Sequence, residues 1–157
     1  MKLKLILLLI ICLRATGQPL KEKNSNAHID SLLNGNKHKE ALSYAFKEYH
    51  TYKTPLSKAK LLFVEFKIGQ DKNRSKEASS KINEAIALLK NSKNLKADET
   101  NYLIDLYRKY ADFLLEAELK DEALAKMKEC YGNLGFRNGG EKERSLFLHS
   151  YAKLNED

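Results

Sequence analysis

The residues of this 157-residue chain that could do chemistry are four histidines, two cysteines, eight tyrosines and a scatter of hydroxyls and carboxylates. His28, His38, His50 and His149 are far apart. No two stand one helical turn apart, and no cysteine pair accompanies them, so the spacing that brings two or more ligands to one zinc ion is absent. His28 with Asp30, and His50 beside Tyr49, read as surface residues. No serine stands in a tight glycine elbow. Gly139-Gly140 has neither the preceding strand nor the following Lys-Ser or Lys-Thr of a phosphate loop. Glu116, Glu118, Asp121 and Glu122 gather around one helix turn, where solvated charge is the ordinary reading, and spacing alone does not make them an acid pair. The sequence therefore assigns no catalytic, cofactor-binding or metal residue, and the chain is expected not to be an enzyme. The tyrosines, each with an apolar ring and a polar tip, are the one enriched type suited to recognition; most are expected in the core and one or two in a groove.

The elements that position these residues begin after a targeting segment. Met1-Lys2-Leu3-Lys4 leads into the apolar run Leu5 to Leu13, followed by Arg14-Ala15-Thr16-Gly17-Gln18. A basic end, a short apolar run and small residues at the cut are the layout of a cleavable signal peptide. The run is far shorter than the roughly 20 apolar residues that span a bilayer. Cleavage after Gly17 is expected, with no membrane insertion afterwards and a secreted or periplasmic location. Ile11 beside Cys12 argues against lipidation. Removing Lys2, Lys4 and Arg14 leaves 25 basic residues against 21 acidic ones, a net charge of +4 in place of +7. That mild, well-mixed charge argues against nucleic acid as a partner. Cys130 would then be the only cysteine, a packing thiol within an apolar helix pattern.

Residues 18–26 read as a polar leader and residues 27–154 as one helical domain. Apolar residues recur at three- and four-residue steps and no alternating strand run occurs. About seven helices are expected: Ala27 to Leu33, Lys37 to Tyr52, Pro55 to Ile68, Ser75 to Leu89, Asp98 to Glu116, Glu122 to Tyr131 and Glu141 to Leu154. Asn34-Gly35-Asn36 ends the first, Thr54-Pro55 opens the third and Gly69 is expected to stop it. Ala41, Leu42, Ala45, Phe46 and Tyr49 mark the inward face of the second helix; Leu146, Leu148, Tyr151, Ala152 and Leu154 mark that of the last. Short links between helices call for an antiparallel stack.

One pattern opens alternate helices: Lys39-Glu40-Ala41-Leu42, Lys76-Glu77-Ala78-Ser79 and Asp121-Glu122-Ala123-Leu124. The alanines, at positions 41, 78 and 123, supply small side chains where two antiparallel helices cross. Seven residues after each alanine stand Glu48, Ala85 and Cys130; the last two suit close interlocking and Glu48 does not. Tyr107, Tyr110, Ala111 and Leu114 followed by Ala123, Met127 and Cys130 keep the residue sizes of a tetratricopeptide repeat, and Leu62 and Phe66 followed by Ala78, Ile82 and Ala85 make a weaker copy. Over about residues 25 to 155 the chain resembles that family, with divergent repeats, longer spacings than the usual 34 or so, and no closing proline.

The resemblance implies an all-α fold, antiparallel helix pairs stacked as a short tetratricopeptide-like α-solenoid, with a plain helical bundle as the alternative. It also implies a concave face lined by the first helix of each pair. On that face Lys60, Phe63 and Lys67 from one repeat and Arg108, Asp112 and Leu115 from the next form a candidate partner-binding groove for an extended peptide or acidic segment. The Lys and Asn pattern of carboxylate-clamp repeats is absent, which argues against recognition of chaperone tails. The function implied is that of an exported protein-binding scaffold without catalysis. The alternatives are a separate or truncated periplasmic sensor part of a signalling system and a small helical hydrolase.

Overall fold

A computed structural model of the chain describes residues 25–72, 74–132 and 134–155. The expected signal segment, its cut after Gly17 and all but the last two residues of the leader lie outside the described residues. Those described are all-helical, with no strand: α1 (Ser25–Asn34), α2 (His38–Tyr52), α3 (Pro55–Asp71), α4 (Ser75–Lys90), α5 (Ala97–Glu116), α6 (Lys120–Gly132), the single turn α7 (Leu134–Arg137) and α8 (Glu141–Asn155). Ser25 and Asn26, placed in the leader by the sequence reading, already belong to α1. None of these helices is long and apolar enough to cross a membrane.

Local chemistry explains most of the boundaries. Thr54 and Ser57 form a capping box at the start of α3: the Ser57 N–H donates to Thr54 Oγ1 and the Thr54 N–H donates to Ser57 Oγ, both at 3.1 Å. Pro55 takes the first helical position, where its missing N–H removes no helix bond. At α5 the Glu99 carboxylate accepts the Lys96 N–H at 2.9 Å. Helix α1 ends within Asn34-Gly35-Asn36, where Asn36 takes the left-handed conformation (φ 55°); the Lys37 N–H then reaches back to the Leu32 carbonyl at 2.8 Å. Glu118 (φ 61°) does the same after α5, with the Leu119 N–H donating to the Leu114 carbonyl at 2.8 Å.

Gly69 does not stop α3, which runs on to Asp71. It is buried against α4, and a Cβ added there would lie 3.3 Å from the Cβ of Ala78. The two helices cross with both members small, and the glycine answers a packing need instead of a terminating one. Ala41 and Ala123, like Ala78, are fully buried.

Helices pack in chain order, α1 on α2, α2 on α3 and so on to α6, and α8 returns to pack on α5 and α6. The core is continuous along this series, from Ile29 and Leu33 through Leu62, Phe66, Ile82 and Leu106 to Met127 and Phe147. Each fully buried side chain of this size is worth roughly 1.5–3 kcal/mol, against about 0–1 kcal/mol for an exposed ion pair, so apolar burial holds the stack together. Two faces differ from the sequence reading. Helix α2 buries Ala41, Ala45 and Glu48 while Leu42 and Phe46 face outward, Phe46 being 54% exposed and in tilted ring contact with His50. Helix α8 docks through Phe147, Tyr151 and Leu154 while Leu146 and Leu148 are exposed. Phe147 meets Phe136 and Tyr151, an aromatic contact that sets the rotation of α8.

One polar cluster ties α4, α5 and α6 together. Glu129 accepts hydrogen bonds from Lys90 Nζ (2.9 Å), the Tyr107 hydroxyl (2.8 Å) and Lys126 Nζ (3.3 Å). Burial opposes the Glu129 charge, but the hydrogen bonds from Lys90 and Tyr107, with Lys126 nearby, outweigh it and lower the carboxyl from 4.5 to about 2. Burial and the bond to Glu129 raise the Tyr107 phenol, so it stays a donor.

Two outcomes follow. Gly69→Val drives a branched side chain into Ala78 and costs about 1–3 kcal/mol, read as a lower urea midpoint with an unchanged m-value. Because the Glu129 pKa is lower in the folded chain, its stabilisation is complete above pH 4.5 and disappears as pH falls towards 2. Glu129→Gln therefore lowers the midpoint at neutral pH and flattens its fall across that window. Parallel curves for variant and parent from pH 7 to 2 would contradict the assignment.

Candidate binding site

The face formed by α1, α3, α5 and α8 carries two cavities. The first, of about 370 Å³, is bordered by Asp30 of α1, Lys60 of α3, Tyr102, Asp105 and Arg108 of α5 and Glu143 of α8, among others. The second, of about 310 Å³, is bordered by Phe63, Lys67 and Gln70 of α3, Lys109 and Asp112 of α5 and again Asp30. Between them Lys109 Nζ lies 4.3 Å from the centre of the Phe63 ring and 3.1 Å from the carboxylates of both Asp30 and Asp105. This bridge from α1 to α5 passes over α3 and separates the two cavities.

Lys60 is the side chain on which the site is built. It is 1% exposed, and its ammonium donates to Glu48 Oε1 at 2.8 Å and to Ser25 Oγ. Ser25 donates in turn to the same carboxylate oxygen at 2.9 Å, while Glu48 Oε2 is buried with no hydrogen-bond partner among the described residues. Three helices meet at this point, since Ser25 opens α1, Glu48 lies on α2 and Lys60 on α3. Glu48 occupies the place in its helix pair that Ala85 and Cys130 hold in the other two. A buried carboxylate is tolerated there because a cation from the next helix reaches it.

The far wall is set by the turn before α8. Gly139 is buried against the terminal methyl of Ile104, which would have to move aside for a side chain at that position, and the Gly140 N–H donates to Asn101 Oδ1 at 2.6 Å. These contacts pin the start of α8 to α5 and bring Glu143 and Leu146 to the first cavity. On α5, Arg108 is held by Asp105 (2.6 Å) and Asp112 (3.4 Å). Burial raises the Asp112 carboxyl, partly opposed by Arg108 and reinforced by Glu116 and Asp105. Tyr102 is 5% exposed and borders the first cavity; burial, with Asp105, Asp30 and Glu48 around it, raises its phenol well above the usual value.

The six groove residues picked from the sequence do not form one surface. Lys60 and Arg108 border the first cavity, while Phe63, Lys67 and Asp112 border the second. Leu115, 38% exposed, borders neither. Lys60 and Phe63 are buried, the first committed to Glu48 and the second covered by Lys109, so neither offers a free charge or an open ring. Sequence reasoning missed Asp30, Asn101, Tyr102, Lys109 and Glu143. Asp30 and Glu143 lie on helices outside the two repeats from which the groove was read. Tyr102 stands five residues before Tyr107 on the helix of the best copy.

Among the described residues no group of three or more His, Cys, Asp or Glu is placed to hold a metal ion. Burial pushes the Cys130 thiol up to about 12, which keeps it from being a thiolate nucleophile at neutral pH. Comparison with known proteins found no matching family model, no similar curated protein and no similar solved structure.

Removing one partner of the buried pair leaves an uncompensated charge. Lys60→Met is expected to cost about 3–5 kcal/mol, and adding Glu48→Leu to recover most of that loss. Chemical denaturation of the two variants checks this, and an additive double variant would mean that Lys60 and Glu48 are not coupled.

Proposed function

We propose that the chain is a non-catalytic binding module outside the cytoplasm, a short tetratricopeptide-like stack that holds an extended segment of a partner protein. The helix pairs are α1–α2, α3–α4 and α5–α6, and the order of packing along the chain supports stacking over a closed bundle. The observation that carries the reading is the position of the two cavities. Both lie on the face contributed by the first helix of each pair, with α8 in the place of a fourth first helix at one of them. A row of cavities separated by a side-chain bridge suits an extended chain whose alternate side chains enter pockets.

The chemistry of this face supports holding over turnover. Its carboxylates and cations are largely paired with one another, and the buried thiol of Cys130 lies on α6, away from the residues that border the cavities. Export is proposed on residues 1–17, and the mature chain is expected to begin at Gln18.

A photo-crosslinking amino acid at Asn101, beside the first cavity, or at Gln70, beside the second, tests the reading in intact cells. Both positions are expected to capture the same segment of one envelope protein, mapped by mass spectrometry, while Glu84 on the exposed side of α4 captures none. Equal capture from all three positions, or none from any, would overturn it.

A further inference from the structure

We propose that the first cavity receives a basic side chain, a lysine or arginine of the bound segment, in preference to an acidic one. This rests on the reading of the face as a peptide-binding surface and names the chemistry of one of its pockets.

Charge accounting carries the proposal. Lys60 is neutralised by Glu48, Arg108 by Asp105, and Lys109 on the dividing bridge by Asp30. Two other carboxylates border the cavity, Asp98 of α5 and Glu143 of α8. Among the described residues neither has an ion-pair or hydrogen-bond partner, and Lys142 is the one bordering cation without one. With Lys142 set against the two carboxylates, the unmatched groups bordering the cavity leave one negative charge in excess, which favours an entering cation over an anion.

The second observation is independent of charge. Tyr102 is nearly fully buried and borders the cavity, yet no described residue hydrogen-bonds its hydroxyl. The ring is buried but the hydroxyl oxygen opens to the cavity, where water or an incoming group completes its hydrogen bonding. Its oxygen accepts from an ammonium or guanidinium as readily as water does, and the neutral ring leaves the incoming charge to the carboxylates. Leu56, Ile104 and Leu146 border the same space. They give apolar contact to the methylene stem of a lysine or arginine while its head reaches the acids. The short side chain of aspartate or glutamate gains neither contact.

Three pools of short extended peptides, rich in Lys and Arg, in Asp and Glu, or in neutral residues, can be titrated separately into the isotopically labelled mature protein and followed by backbone amide shifts. The basic pool is expected to shift Asn101, Tyr102 and Glu143 and to weaken with added salt. The double variant Asp98→Asn, Glu143→Gln should bind it about tenfold more weakly, and Tyr102→Phe should weaken it less. If acidic or neutral peptides shift the same amides as strongly, or the double variant binds the basic pool undiminished, the preference is wrong while the peptide-binding reading stands. If no pool shifts any amide on α1, α3, α5 or α8, both fall.

Discussion

The contact between Lys60 and Glu48 fixes more of this molecule than its size suggests. Burying a carboxylate in a helix crossing is unfavourable, and the mutual attraction of the pair offsets that cost only if the two groups meet with good geometry. Glu48 lies on α2, Lys60 on α3, and Ser25 completes the set from the first residue of α1. The first three helices therefore have one relative position at which no charge is stranded. Apolar packing supplies most of the energy but tolerates sliding of one ridge along the next; a point contact between charges does not. The face that carries both cavities takes its first wall from α1, which Ser25 and the buried Ile29 and Leu33 hold in place and which brings Asp30 to the bridge with Lys109.

At the other end of the face the positioning is steric instead of electrostatic. Gly139 lets the loop lie directly on Ile104, and the Gly140 N–H finds Asn101. The rotation of α8 then follows from Phe147 entering the aromatic cluster with Phe136 and Tyr151. The exposed Leu146 and Leu148 flank that ring in sequence, and both were read as core residues because apolar side chains on adjacent positions look alike without a partner surface. A helix that could be rotated by one residue in sequence has one rotation in the structure, and it is the one that brings Glu143 to the cavity.

The helices themselves were legible because their signals are local. Thr54-Pro55, the three-to-four periodicity of α4 and α5, and the small residues at Ala41, Ala78 and Ala123 act within a turn or across one crossing. Gly69 shows where local reasoning misleads: a glycine near a helix end signals a stop, yet here it makes the close approach to Ala78 within the helix. The site was less legible because it depends on contacts between residues distant in sequence. Lys60 and Glu48 are 12 residues apart, Lys109 and Asp30 are 79 apart, and Asn101 and Gly140 are 39 apart. Glu48 was visible as a misfit among the repeat positions, and a misfit of that kind signals that a cation must come from elsewhere. Lys60, which the repeat resemblance puts on the binding surface, is that cation and lies buried beneath it.

The same pairing logic bears on how a face so rich in charge would discriminate between ligands on the proposed reading. With Lys60, Arg108 and Lys109 already matched to carboxylates, the field a ligand feels comes from the few groups left unmatched, and not from the net charge of the chain. An overall excess of basic residues says little about this face, since most of the local charge cancels within about 4 Å, well inside the screening length of physiological salt of roughly 8 Å. Asp98 and Glu143 each stand in the first turn of a helix, and the start of α8 is tied to α5 through Gly140 and Asn101. On the proposed reading, a partner that satisfied them would give up little to reorganisation of the protein, and the register of its own side chains against the two cavities would set its recognition.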